Sequence, residues 1–197
     1  SSLPEPAIGP NSGVGEQADD YFNTVLWSGD GSSSRAITGV GHAPDFVWIK
    51  TRNQANEHSL FDSVRGVAKD LESNSTAAEQ ANNVHGYINS FDSDGFTVVD
   101  GSSGSALVND SSNTFVAWNW EAGGSSNTFN IDGTGYADMS SAGLTDGTIA
   151  LSGLSANKTS GFSVATFTMT SGDNTLAHGL GTEPDLLIFK TIGATGS

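Results

Sequence analysis

The chain has 197 residues, 22 acidic and 7 basic side chains, a formal charge of −15, a pI near 4.2 and no cysteine. Its scattered cations suit neither nucleic acid nor an anionic membrane surface, both of which need clustered positive charge, and without cysteine there is no disulfide, zinc–thiolate centre or cysteine nucleophile. With 25 glycines, 15 % charged residues and 4 Trp, 3 Tyr and 10 Phe, the composition fits short strands joined by turns around an apolar core, not a helical bundle or a disordered tail.

Residues 1–19 read as a linker, broken by Pro4, Pro6, Pro10, Gly13 and Gly15. A strand is expected over 22–27, closing at the turn Ser28-Gly29-Asp30-Gly31. The run 45–50 follows Pro44 and alternates Phe46, Trp48 and Lys50 against Val47 and Ile49, so it is apolar on both faces and belongs between two layers. Residues 63–71 and 76–81 hold helix formers interrupted by Gly66 and Ser73-Asn74-Ser75, enough for one short helix at most. A strand over 95–99 follows the turn Asp92-Ser93-Asp94-Gly95, and 114–120 is a second two-faced apolar run ending at Gly123-Gly124-Ser125-Ser126, which reads as a linker. Weaker strands are expected at 148–151, 162–168 and 186–190. No apolar run approaches the ~20 residues of a membrane span.

An internal repeat organises the chain. A shift of 140 residues (162 − 22) superposes, without a gap, Phe22 on Phe162, Gly39 on Gly179, Gly41 on Gly181, Pro44 on Pro184, Asp45 on Asp185, Lys50 on Lys190 and Thr51 on Thr191. The expected organisation is a linker (1–19), a first unit (20–124), a connector with weak strand content (125–157) and an incomplete second unit (158–197). The alternative is that the second segment donates strands to its neighbour.

The stretches 21–31, 39–50, 61–66, 91–98 and 115–120 together resemble a domain of unknown function that recurs, often in tandem, in large virion proteins of marine bacteriophages, including cyanophages. Residues 3–11 resemble the linker that precedes it there. The resemblance spans nearly the whole chain. It implies a tail-fibre or other structural role on the virion surface, a lectin-like sandwich as neighbour, and no catalytic motif. Here His42-Ala43 stands where that domain commonly has Phe-Gln.

Individual residues are weighed against plainer roles. Asp45 and Asp185 could be carboxylate ligands, but a residue repeated after Pro in both copies suits a turn-setting carboxylate. Asp92 and Asp94 are partial calcium ligands; a calcium loop needs six to eight oxygens, and no glutamate follows at the required distance. The four histidines (42, 58, 85 and 178) lack zinc spacing. Gly39-x-Gly41 lacks a third glycine and a helix, and no Gly-x-Ser-x-Gly elbow is present. Trp118 and Trp120 share one strand face, forming core if it looks inward and a sugar-stacking platform if outward.

The expectation is an all-β protein: an antiparallel two-sheet sandwich of jelly-roll or concanavalin A-like type, followed by the start of a second similar unit. Its expected role is a non-enzymatic, host-attaching module of a phage appendage, partnered by other virion proteins and by copies of itself, commonly as a trimer. The alternatives are a module binding host-surface glycans, with Ca2+ as its one conceivable cofactor, and, less favoured, a polysaccharide-degrading enzyme.

Overall fold

The computed structural model describes residues 17–193. Residues 1–16 of the expected linker 1–19 therefore lie outside the described residues. Its end, Ala18 and Asp19, forms with Asp20 a single 3-10 turn in which the Asp20 carboxylate accepts the Gln17 amide at 2.7 Å.

Thirteen strands follow among the described residues. β1 (Phe22–Ser28), β3 (Phe46–Thr51), β8 (Gly95–Val99) and β9 (Thr114–Trp120) match the strongest sequence signals. β2 (Ser34–Thr38), β4 (His58–Asp62), β5 (Lys69–Glu72), β6 (Gln80–Ala81) and β7 (Tyr87–Asp92) complete the first unit. One antiparallel sheet runs β1-β9-β3-β4-β5-β6 and a second runs β2-β8-β7. They enclose a single core. Val25, Trp27, Val47, Ile49, Phe61, Phe115 and Ala117 come from the larger sheet and Ile37, Ile88, Phe96 and Val98 from the smaller. This is the face-to-face packing expected of alternating strands. Trp27 stacks on Phe115 at 5.3 Å and donates its indole N–H to the Val108 carbonyl, which satisfies the one polar atom it buries.

The helix expected within 63–71 or 76–81 is replaced by turns and strands. Gly66 and Ala68 both have positive φ, 89° and 60°, which no helix tolerates. Arg65 holds the resulting turn: it pairs with Asp62 at 2.5 Å and Glu79 at 3.1 Å and donates to the carbonyls of Leu60 and Lys69. His42, where the resemblance leads one to expect Phe, is buried, and burial lowers its imidazole pKa.

The stretch 125–157, expected as a connector, carries three strands: β10 (Phe129–Ile131), β11 (Thr134–Tyr136) and β12 (Leu151–Asn157). The weak strand expected at 148–151 thus starts at Leu151. β12 forms a hairpin with β13 (Phe162–Phe167), so the boundary expected at 157/158 falls inside one sheet, ordered β11-β10-β12-β13. β10 and β12 are parallel, a departure from the all-antiparallel expectation that the long excursion over 132–150 permits. This sheet has its own core of Phe129, Ile131, Leu144, Leu151, Leu154, Ala156, Ala177 and Leu180. The run 186–190, expected as a strand, pairs with no strand among the described residues.

Gly123-Gly124 is also not a flexible linker. Gly123 is buried, and a Cβ there would lie 2.3 Å from the Asn130 carbonyl oxygen. Its amide donates to Ser155 Oγ at 2.8 Å, and that hydroxyl donates to the Gly124 carbonyl. The glycines are there for close approach between sheets rather than for slack.

Candidate functional site: an aromatic face on the larger sheet

The register of the larger sheet sorts its aromatic residues. Because Val47, Ile49, Phe115 and Ala117 point into the core, their alternates Phe46, Trp48, Trp118 and Trp120 point away from it. Trp118 and Trp120 are thus on the outer face, but they have different fates. Trp120 sits between Phe22 (4.8 Å) and Phe46 (5.5 Å) on the neighbouring strands and is capped by Phe162, stacked at 5.6 Å and 19°. Its edge borders an open cavity of about 390 Å3 shared with Tyr21, Thr159 and Ser160. This end of the face is the joint to the next sheet.

Trp118 stays half-buried with Trp48, the two indoles meeting edge to face at 6.1 Å. Trp48 donates its N–H to His58 Nδ1 at 3.3 Å. That bond requires an unprotonated Nδ1, and burial followed by the nearby Lys50 ammonium lowers the His58 pKa. Leu26, 62 % exposed, extends the patch across β1. Lys50 turns its ammonium back to the carbonyls of Thr51 and Gln54. The arrangement can stack a flat apolar surface such as a sugar face, with polar groups at its border.

The acids singled out by sequence serve the backbone. Asp94 accepts the amides of Gly41 (2.7 Å) and Gly39 (3.1 Å), which lower its pKa, and Asp92 accepts the Thr97 hydroxyl at 2.8 Å. Gly39 and Gly41 take φ of 91° and 89°, the left-handed conformation that aims both N–H groups at that carboxylate. Among the described residues no group of three or more His, Asp or Glu side chains gathers as a metal site. Asp45 accepts the Ser63 hydroxyl (2.6 Å) on one oxygen and the amides of Ala122 (2.8 Å) and Gly124 (3.0 Å) on the other. Asp185 is exposed, and Lys190 reaches the Ser75 carbonyl at 2.6 Å. Pro44 is buried while Pro184 is only partly so, and Gly179 and Gly181 share a φ of 75°.

Sequence reasoning missed Ser63, Ser155 and Phe162 as members of the joint. Phe162 carried a signal, being the repeat of Phe22; the serines carried none. It also missed the Asp30–Ser32–Arg35–Asn109 network, in which hydrogen bonds from Ser32 and then Asn109, with Arg35 nearby, hold Asp30 at a pKa of about 2.

No curated protein and no solved structure matches the chain. One family model does, over residues 17–197, and it covers the sandwich, the second sheet and the 186–190 segment together. The chain therefore belongs to the family described as a domain of unknown function, DUF7483.

Proposed function

We propose that this chain is a non-enzymatic structural module of a bacteriophage virion appendage, a tail fibre or a head- or tail-associated fibre. It stands on the particle surface among other virion proteins and copies of itself. The observation that carries this reading is the joint between the larger sheet and the β11-β10-β12-β13 sheet. The Asp45 carboxylate, the buried Gly123 and the Trp120–Phe162 stack lock one β unit onto the next with no slack chain between them. A fibre that transmits force from tip to particle needs joints of this kind. The tandem recurrence carried by the sequence resemblance, the jelly-roll reading of the sandwich and the start of a second unit at 158–197 belong to the same proposal. So does a symmetric oligomer, a trimer by analogy. The test is proteomic: peptides of this chain are expected in purified virions at a stoichiometry of many copies, and virions that lack them overturn the reading.

A second reading is favoured by one observation, the half-exposed Trp48–Trp118 pair on the outer face. It makes the module a binder of host-surface glycans, compatible with a fibre role. A glycan array probed with and without Ca2+ is expected to give a ligand whose binding falls at least about tenfold in Trp118→Ala, the cost of losing one stacking partner. An array without a binder under both conditions removes this reading and leaves the first standing.

A further inference from the structure

Trp27 and Trp48 satisfy their indole N–H groups in different ways. Trp27, in the core, donates to the Val108 carbonyl at 3.0 Å, an acceptor that never changes its charge. Trp48, on the outer face beside Trp118, donates to His58 Nδ1 at 3.3 Å, an acceptor that does. In a neutral imidazole that accepts at Nδ1 the ring proton sits on Nε2; an imidazolium carries N–H on both nitrogens and accepts nothing. Adding one proton therefore sets N–H against N–H at the border of the aromatic face. Trp48 is the link across that border, since it meets Trp118 edge to face (6.1 Å, 74°) and His58 in the same manner (6.1 Å, 62°).

The charged groups around His58 decide when that proton arrives. Lys50 stands opposite it on β3, with its ammonium drawn back to the Thr51 and Gln54 carbonyls. Glu57 precedes it in the chain and is bound by the Asn74 side-chain amide. On β5, Asp70 and Glu72 share the side of Ser59, the inner side, opposite to His58. Past β5 the Lys190 ammonium is held by the Ser75 carbonyl. Burial and then Lys50 disfavour the imidazolium, Glu57 favours it, and the net effect lowers the pKa below its usual 6.5. The ring is thus neutral in neutral water and takes its charge in mild acid. The face beside it is built of two rows: Thr24, Trp118 and Trp48 across β1, β9 and β3, then Leu26, Val116 and Lys50. Neither row holds a carboxylate, and its one ammonium is turned to backbone carbonyls, so the ring it suits is an uncharged sugar lying with its C–H face on the indoles.

We propose, resting on the glycan-binding reading above, that His58 is the positioning residue of this face. Neutral, it holds the Trp48 indole edge-on to Trp118 and keeps the platform set for an uncharged sugar ring. Protonated, it lets go, Trp48 turns its N–H to water, and the sugar is released. The face thus binds at neutral pH and releases in mild acid.

The test titrates the 15N-labelled whole chain from about pH 8 to about pH 5 and follows its four indole N–H signals by NMR, that of Trp48 being assigned by its loss in Trp48→Phe. The Trp48 signal is expected to shift with a midpoint below pH 6.5 while that of Trp27 stays fixed. His58→Asn puts a carbonyl oxygen near the place of Nδ1 and accepts at every pH, so there the Trp48 signal is expected to stay still, although Asp70, with a pKa of about 6, still titrates. The second readout is binding of uncharged hexasaccharides of glucose, galactose, mannose and N-acetylglucosamine. Affinity is expected to fall about fivefold between about pH 7.5 and about pH 5.5, the factor that one ordinary hydrogen bond is worth, and to hold in His58→Asn. A Trp48 signal that stays still in the unsubstituted chain, or moves equally in His58→Asn, overturns the positioning role and leaves the glycan reading standing. So does a titrating Trp48 with binding that ignores pH. A titrating Trp48 with none of the hexasaccharides bound at either pH overturns the glycan reading, and the positioning role with it.

Discussion

Asp70 is 1 % exposed on the inner side of β5, with one carboxylate oxygen accepting Asn83. Burial raises its pKa from 3.8 to about 6, against the pull of hydrogen bonds from Asn83 and then Ser59. The folded state therefore holds this proton to a higher pH than the unfolded chain does. Stability from this group is highest below pH 4 and is lost as pH rises from about 4 to about 6, by on the order of 2–3 kcal/mol. Asp70→Asn is expected to flatten that part of the profile, measured by denaturant titration at several pH values. Asp45 accepts three hydrogen bonds, from the Ser63 hydroxyl and from the Ala122 and Gly124 amides. Asp45→Asn turns a donor amide toward one of those partners and is expected to cost about 2–4 kcal/mol, because bonds to charged groups are the stronger kind and a buried donor is left unpaired. Chemical denaturation at neutral pH measures it.

At the level of elements, Gly123 shows how the sequence misleads. Gly-Gly-Ser-Ser has the composition of a flexible linker, but the same residues allow backbone contact, and only the neighbouring Asn130 and Ala156 carbonyls reveal which use applies. Gly123→Ala is expected to destabilise the second sheet by about 1–3 kcal/mol or more, because backbone rather than a movable side chain would have to yield. Faster amide exchange in β10 and β12 than in β3 and β9 is the readout. Other elements were legible. β1, β3, β8 and β9 announced themselves through alternation and through Pro or Gly boundaries, since a half-buried strand must alternate and a turn must break it. β4 and β5 were not, because the turn between them is held by the Arg65 side chain on Asp62, Glu79 and the Leu60 and Lys69 carbonyls, a role that no apolar alternation records. Nor was the fate of Trp118 and Trp120: alternation places them on one face, but only strand order says that this face looks away from the core and that Phe162 covers half of it.

For the whole molecule, the charge of −15 first argues against polyanionic partners, and the exposed surface then gives it a second meaning. In seawater-strength salt, charges are screened beyond roughly 4 Å, so repulsion between copies is short-ranged and solubility falls to the Ser, Thr, Asn and Gly surface. The domain is expected to stay soluble at neutral pH in that salt and to show maximal turbidity near pH 4.2, where its net charge vanishes. Light scattering across a pH and salt grid checks both, and precipitation at neutral pH in high salt contradicts the first.

The central position of β9 has a consequence for the order in which the chain can fold. Its register joins Phe22 to Trp120 and Phe46 to Trp120, so the strand that closes the larger sheet is the last of the first unit to be synthesised. Until it leaves the ribosome, β1 and β3 wait with their edges open, and pairing of such high sequence separation is slow to form. A nascent chain cut short before residue 114 therefore holds β1 and β3 without the strand that joins them. The vulnerable moment in the life of this fold is thus set by one strand's place in the sequence.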